Sequence, residues 1–205
     1  SQSELLDLVH DLNADASVDG ILVQLPLPDH VDERTVIDAV DPSKDVDGFH
    51  PENLGRLMRG TPRYIPATPY GIMEMLSRSD IDPESMDAVI VGRSNIVGKP
   101  LANLLLRRTA NATVTVCHSR TKDLAAHTRR ADLLVAAAGQ AAVLDADMVK
   151  EYDVVIDLAI NRLYGPSRVR CYRLRRDVDL EGRRPKALRT HTTPGGPGSW
   201  RRAPP

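Results

Sequence analysis

From Asp87 onward, short apolar runs alternate with segments of helical spacing, and this alternation constrains the fold more than any other feature. Short apolar runs of this kind predict strands. They are "DAVIV", "ATVTVC", "DLLVAAA" and "DVVIDLA", and between them lie "KPLANLLLRRT", "TKDLAAHTRRA" and the shorter "DADMVKE". Strands that alternate with helices predict a parallel sheet with right-handed crossovers, that is, a Rossmann-like α/β lobe.

The residues before Asp87 predict a second, smaller α/β region. Apolar residues at helical spacing predict a helix in "SELLDLVHDLN", with Ser3 as its N-cap, and a short one in "ERTVIDAV". "GILVQLPL" (20–27) predicts a buried parallel strand, and "DPSKDVDGFHPENLG" (41–55) predicts a polar loop of the kind that carries function. "TPYGIMEMLSRS" predicts a helix with Thr68 as N-cap and Pro69 in its first turn.

Composition excludes several classes of protein. A chain of 205 residues, 41% of them hydrophobic, is long enough to bury a core. It has no run of 18 apolar residues, and its first residues lack the pattern of a signal peptide, so we expect no membrane association and a cytoplasmic location. Cys117 and Cys171 form neither a disulfide framework nor a metal-ligand spacing, so no metal is expected.

The net charge of −1 conceals a strong asymmetry along the chain. Residues 1–160 contain 15 Lys and Arg against 25 Asp and Glu, whereas residues 161–205 contain 12 against 3. The acidic, lysine-poor part suits a high-salt cytoplasm, although GC-rich coding would give the same bias. The arginine-rich end raises nucleic-acid binding as an alternative, but it holds few aromatic residues and no recognisable module, so no nucleic-acid partner is expected.

The segment "VGRSNIVGKP" (91–100) has the glycine spacing of a phosphate-binding turn between a strand and a helix. Ligands of open parallel sheets bind at the carboxyl ends of the strands, and free N–H groups at a helix N-terminus favour anions. Gly92 and Gly98 bound the turn, and Ser94 adds a hydroxyl donor. The pattern predicts a nucleotide-phosphate site; the alternative is a structural turn that binds nothing.

The next strand end indicates which nucleotide would bind. NAD-binding folds place an Asp or Glu about 20 residues further on to hold the ribose 2′-hydroxyl. Here that position is "CHSR" (117–120), which has no carboxylate and instead offers Ser119 and Arg120 next to Arg93 of the glycine turn. Hydrogen bonds to a charged group contribute about 1.5–3 kcal/mol each, so these groups favour the 2′-phosphate of NADP. The alternative is a solvated rim of arginines.

Six motifs in order carry a family resemblance: "GILVQLPLP", "KDVDGFHP", "ATPYGI", "VGRSNIVGKP", "TVTVCHS" and "TPGG". Together they resemble the bifunctional methylenetetrahydrofolate dehydrogenase/methenyltetrahydrofolate cyclohydrolase (FolD) family, densely over residues 1–162. The resemblance implies NADP-dependent oxidation of 5,10-methylenetetrahydrofolate and hydrolysis of the product to 10-formyltetrahydrofolate, in one-carbon metabolism that supplies purine biosynthesis. It also implies tetrahydrofolate derivatives as ligands and a homodimer. A shikimate-type dehydrogenase would lack "VQLPLP" together with "KDVDG".

The resemblance also implies roles for individual residues. Gln24 matches the glutamine that hydrogen-bonds the catalytic lysine, and Asp47 matches the aspartate that binds the pterin ring; both are taken as catalytic. The cofactor contacts are Gly92, Arg93, Ser94, Gly98, Ser119 and Ile160, and the substrate contacts are Val23, Gln24, Leu25, Asp47, Pro194, Gly195 and Gly196. His50, Cys117 and His118 lie beside these motifs but are expected to have no catalytic role.

The resemblance further implies a folate-binding lobe over 1–78, completed by 190–205, and an NADP-binding lobe over 79–189. The sequence departs from the family in two ways. The family's general acid/base is a lysine preceded by a tyrosine four residues earlier, whereas the first lysine here is Lys44 and no such spacing occurs. The alternative function is therefore a truncated, catalytically impaired NADP- and folate-binding remnant that lacks the catalytic lysine. The arginine-rich end suggests either a frameshift or a divergent tail.

Overall fold

The computed structural model describes residues 1–139, 143–150 and 154–158, together with the backbone of four later strands. The chain divides into two compact units, Ser1–Tyr70 and Gly71–Pro205. None of the helices in the described ranges is long and apolar enough to cross a membrane. Four residues with predicted roles lie outside the described residues: Ile160, Pro194, Gly195 and Gly196.

Six α-helices and one short 3₁₀-helix occur in the described part of the chain. The α-helices are α1 (Gln2–Ala14), α2 (Glu33–Ala39), α3 (Pro51–Met58), α4 (Ala67–Arg78), α5 (Gly98–Leu105) and α6 (Leu124–Thr128), and the 3₁₀-helix is Ala146–Met148. The described strands are β1 (Asp87–Val91), β2 (Thr113–Cys117), β3 (Leu133–Ala136), β4 (Val154–Asp157), β5 (Asn161–Tyr164), β6 (Tyr172–Arg175), β7 (Arg189–Thr192) and β8 (Arg201–Arg202).

A six-stranded sheet in the order β2-β1-β3-β4-β7-β8 forms the centre of the second unit. The first five of these strands run parallel, and β8 pairs antiparallel with β7, while β5 and β6 form a separate hairpin. The parallel sheet confirms the α/β prediction. Strand β7 pairs with β4 in this sheet and so satisfies backbone groups that an edge strand would leave open.

Both faces of this sheet are covered, because successive residues of the central strands alternate between two hydrophobic clusters. Ala88 and Ile90 of β1 join the cluster that contains residues of α4 and α5. Val89 and Val91 join the opposite cluster, which contains Cys117 and is contacted by residues of α6. Burial on both faces explains why the strands are continuously apolar in sequence.

In the first unit, α1 and α2 pack around a small core that includes Val9 and Val36. Helix α1 begins two residues earlier than predicted, because Ser1 and Glu4 form a reciprocal capping box and Ser3 lies inside the helix. Lys44 holds the far end of α1. Its Nζ donates to the backbone carbonyl oxygens of Leu12, Asn13 and Asp15 at 2.9, 2.7 and 2.7 Å.

The strand predicted over 20–27 does not form. Only Ile21 makes a bridge, with Asp45, and its neighbour Leu22 is 59% exposed. A parallel strand needs a partner along its whole length, and the described residues place none beside 22–27. The apolar run correctly predicted that Ile21 is buried, but the strand pairing that it also predicted does not extend beyond this residue in the described part of the chain.

Other helices also differ from their predicted limits. The loop predicted over 41–55 ends at α3, which begins at Pro51 and is capped by the His50 Nδ1 that accepts from the Glu52 N–H at 3.1 Å. Helix α4 begins at Ala67, so Thr68 lies in its first turn and does not cap it. Helix α6 begins only at Leu124, after an Asp123 cap, because the preceding residues form a turn.

Candidate functional site

The glycine turn closes tightly over the end of β3. Gly92 has φ +134°, and a Cβ at this position would overlap the carbonyl group of Ala137. Ala137 is held there because its N–H donates to the Val91 carbonyl at 2.8 Å. Only glycine fits this position, both for its backbone conformation and for the space that is left.

The turn also closes on itself at its second glycine. A Cβ on Gly98 would overlap the Gly92 carbonyl oxygen and lie 2.8 Å from its carbon and 3.0 Å from the Arg93 Cα. All three atoms belong to the backbone, so no side-chain rotation could relieve the contact. The two glycines predicted from the sequence are therefore needed for the shape of the turn.

Ser94 is the internal cap of this turn. Its Oγ accepts from the N–H groups of Val97 at 3.1 Å and Gly98 at 3.4 Å, and its carbonyl accepts from Lys99 at 3.1 Å. The expectation that free N–H groups of α5 would face a phosphate is wrong in this detail, because Ser94 occupies them. The hydroxyl proton of Ser94 remains able to donate.

Donors remain earlier in the turn. Within the described part of the chain, no hydrogen bond uses the N–H groups of Arg93, Ser94 or Asn95. These residues follow the carboxyl end of β1, where parallel sheets bind ligands. The anion-binding capacity of the turn thus lies in its 93–95 backbone and the Ser94 hydroxyl.

The second strand end lies directly beside the first. Val91 and Cys117 are partners in the β1–β2 register, and the Gly92 N–H donates to the Cys117 carbonyl at 2.9 Å. The turn that follows is closed by His118, whose Nδ1 accepts from the Arg120 N–H at 3.1 Å and whose carbonyl accepts from Thr121 at 2.8 Å. His118 is therefore engaged as a turn-forming acceptor.

Two arginines and a serine stand exposed on these adjoining turns: Arg93, Ser119 and Arg120. No ion pair in the described ranges neutralises either guanidinium. The buried Cys117 below them is unreactive, since burial raises the pKa of its thiol. A dianionic phosphate would find two free cations and a hydroxyl here, and the described turns 92–97 and 118–121 contain no carboxylate that would repel it.

A second group of polar residues lies in the first unit, in a four-residue turn from Asp45 to Gly48. The Gly48 N–H donates to the Asp45 carbonyl at 3.2 Å, and Gly48 adopts φ +70°. Asp47 occupies the third position of this turn and is half-buried. Burial, and secondly the charge of Asp45, raise the pKa of Asp47, and no donor or cation in the described residues pairs with it. It is a carboxylate free for a ligand.

Asp45 differs from Asp47 in being fully engaged. It is 4% exposed, and its Oδ2 accepts from the His50 N–H and the Asn53 Nδ2, both at 2.8 Å. Sequence reasoning missed Asn53 because it assigned its segment to a loop. The signal was present: Asn53 and Leu57 are one helical turn apart and both face inward in α3.

Gln24 lies in the segment that follows Ile21, and Ile21 forms an isolated bridge with Asp45, the first residue of the turn Asp45–Gly48. Its amide is exposed and donates to the Leu25 carbonyl at 3.0 Å. Val23 and Leu25 on either side are half-buried. The bridge thus brings Ile21, three residues before Gln24, beside Asp45, the first residue of the turn that carries Asp47.

Metal binding is not indicated in the described residues, which contain no group of three or more His, Cys, Asp or Glu side chains placed to hold an ion. The glycine turn, by contrast, meets the requirements of a dinucleotide: a backbone shaped by two obligatory glycines, free N–H donors and unpaired cations. The site fits a phosphorylated nicotinamide cofactor.

Comparison with known proteins gives a consistent result. Residues 66–203 match the model of the tetrahydrofolate dehydrogenase/cyclohydrolase NAD(P)-binding domain, and residues 1–47 match the catalytic domain of that family. The bifunctional protein FolD of Salinibacter ruber is 88% identical over 203 residues, which are 99% of this chain and 68% of that protein.

Solved structures agree. The FolD methylenetetrahydrofolate dehydrogenase/cyclohydrolase of Campylobacter jejuni is 49% identical with a TM-score of 0.87, over 97% of this chain and 68% of that one. The Trypanosoma brucei FolD, solved with NADP and an inhibitor, is 36% identical with a TM-score of 0.87, over 97% and 67%. The chain spans about two thirds of the length of these relatives.

Proposed function

Because the chain belongs to the tetrahydrofolate dehydrogenase/cyclohydrolase family, we propose that it oxidises 5,10-methylenetetrahydrofolate with NADP⁺ and hydrolyses the methenyl product to 10-formyltetrahydrofolate. The observation that carries this proposal is the pair of adjoining turns with free cations at the ends of β1 and β2. A cytoplasmic homodimer in one-carbon metabolism, supplying purine biosynthesis, is part of the same proposal.

For the cofactor, bound NADP⁺ supplies the acceptor for the substrate hydride. Arg93 and Ser119 bind its 2′-phosphate, assisted by Arg120, because their donors are exposed and unpaired. Ser94 donates its hydroxyl proton to a diphosphate oxygen, since its lone pairs are already used by the turn. Gly92 and Gly98 keep the backbone close enough for these contacts. Ile160 is proposed to pack near the nicotinamide.

For the substrate, Asp47 accepts hydrogen bonds from a ring N–H and the amino group of the pterin, a pairing that suits a carboxylate with no partner of its own. The side-chain amide of Gln24 donates or accepts a hydrogen bond beside the reacting carbon. The remaining proposed substrate contacts are Val23, Leu25, Pro194, Gly195 and Gly196. The proposal assigns 1–78, completed by 190–205, to folate and 79–189 to NADP.

The test is the Arg93→Ala variant of the full-length gene product, titrated calorimetrically with NADP and with NAD. Loss of one bond to a charged group, about 1.5–3 kcal/mol, predicts roughly 10- to 150-fold weaker NADP binding and nearly unchanged NAD binding. Arg78→Ala is the control, since Arg78 is exposed on α4 and Glu74 is its one ion-pair partner among the described residues. Equal losses for the two cofactors would show that Arg93 does not bind the 2′-phosphate, and a wild type that binds neither would overturn the proposed function.

A further inference from the structure

The turn Asp45–Gly48, here called the acidic turn, is anchored by the buried side-chain amide of Asn53. Asn53 is fully buried in the first turn of α3, and its Nδ2 donates both to the Pro42 carbonyl at 2.9 Å and to the Asp45 Oδ2 at 2.8 Å. These acceptors lie on either side of the Ser43–Lys44 dipeptide. One side chain therefore joins helix α3 to two points of the segment that leads into the turn.

The turn is fixed at both of its ends. Its first residue, Asp45, is held by Asn53 and by the His50 N–H, and its last, Gly48, is confined because a Cβ there would lie 3.2 Å from the Tyr64 carbonyl oxygen. Asp47 stands between these points and makes no hydrogen bond of its own within the described residues. Its position depends on the turn that carries it.

We propose that Asn53 is a positioning residue for the substrate, acting through Asp45 to hold the Asp47 carboxylate where the pterin meets it. This inference rests on the proposed function of Asp47. The amide side chain is required because it presents two N–H donors to two acceptors. An isosteric carboxylate would present oxygen atoms to the same two oxygens, and a shorter side chain would not reach both.

Asn53 also influences the charge around Asp47. Its amide and the His50 N–H hold the Asp45 carboxylate in place, and the charge of Asp45 is, after burial, the second cause that raises the pKa of Asp47. Loosening Asp45 should therefore alter how folate binding depends on pH. A residue that only stabilised α3 would not change that dependence.

The experiment measures tetrahydrofolate and NADP affinities of the full-length gene product by calorimetry between pH 6 and 8. Asn53→Asp should weaken tetrahydrofolate binding at pH 8 at least about tenfold, since misplacing a contact by about 1 Å is costly, and leave NADP binding unchanged. Relative to wild type, the loss should shrink toward pH 6, because burial and the neighbouring Asp45 raise the pKa of the introduced carboxyl, and a protonated carboxyl can donate. Asn103→Asp is the matched control: it adds the same charge on α5, where Asn103 donates only to the Lys99 carbonyl.

A double-mutant cycle with Asp47→Asn separates the two claims. If Asn53 acts through Asp47, the losses of the two single variants should not add, because the double variant has no carboxylate left to misplace. Additive losses would overturn the positioning role. An Asp47→Asn variant that binds tetrahydrofolate as wild type does would instead overturn the proposed role of Asp47, whatever Asn53 does.

Should Asn53→Asp fail to fold, Asn53→Ser carries the test, since it leaves a small polar residue and introduces no charge. It should show the same loss of tetrahydrofolate affinity with unchanged NADP affinity. Wild-type tetrahydrofolate affinity in a folded Asn53 variant would refute the inference while leaving the proposed function intact.

Discussion

Replacing Gly98 by alanine tests the glycine turn by the sign of its effect on stability. Gly98 is the first residue of α5, and alanine in a helix is normally more stable than glycine by about 0.8–1.0 kcal/mol. Helix propensity alone therefore predicts that Gly98→Ala stabilises the protein. The structure predicts the opposite, because the added methyl group would overlap the Gly92 carbonyl oxygen and press on the Arg93 Cα at 3.0 Å.

The magnitude follows from the atoms involved. Overpacking costs about 1–3 kcal/mol even where side chains can move, and here the neighbours are backbone atoms, so the upper half of that range applies. After the helix gain is subtracted, Gly98→Ala should lower the free energy of unfolding by about 1–2 kcal/mol. Displacement of Arg93 should also weaken NADP binding about tenfold or more.

Urea unfolding followed by circular dichroism, with NADP titration of the same sample, measures both effects. Gly71→Ala is the matched control, because Gly71 lies in helix α4 of the same compact unit and a Cβ there would meet nothing within 4 Å. That variant should be as stable as wild type or slightly more so. A Gly98→Ala protein that matched or exceeded wild type in stability and bound NADP normally would refute the reasoning.

Two further predictions concern pH. The pKa of Asp47 is raised above the 3.8 of an unfolded chain, so its contribution to stability falls as pH rises above that value. Asp47→Asn should therefore increase the free energy of unfolding at pH 7 by less than about 1 kcal/mol. At pH 3 the substitution should leave the free energy of unfolding unchanged. The pKa of Asp132 is lowered, first by the hydrogen bond from Lys150 and then by that from the Asp87 N–H. Its contribution to stability is therefore present above pH 3.8 and is lost as the pH falls through the lower pKa of the folded protein. Asp132→Asn should cost less than about 1 kcal/mol at pH 7 and flatten the acid limb of a urea-unfolding series.

The sheet of the second unit was predictable because β1, β3 and β4 are buried along nearly their whole length and so leave a continuous apolar signal in the sequence. The glycine turn was predictable for a related reason: only glycine tolerates the approach of Ala137 to residue 92. Local patterns of this kind need no knowledge of distant contacts.

The predictions that failed concern features that depend on residues far away in the sequence. Residues 20–27 have the composition of a strand, but pairing beyond Ile21 needs a neighbour that the sequence pattern does not reveal. The start of α3 was hidden by the polar residues of its first turn, and with it the role of Asn53. The hydroxyl of Ser94 was predicted at the right place, but its use as a cap follows only from the closed shape of the turn.

The ammonium group of Lys44 has a consequence for how the "KDVDG" motif is understood. An ammonium carries three protons, and the Nζ of Lys44 directs its hydrogen bonds to three carbonyl oxygens at the end of α1. Transfer of a proton from this amine would break one of these hydrogen bonds, so Lys44, the only basic residue of the motif, anchors the end of α1. Three positions later stands Asp47, the carboxylate proposed to bind the substrate, so a short peptide both anchors one helix and carries the proposed substrate contact.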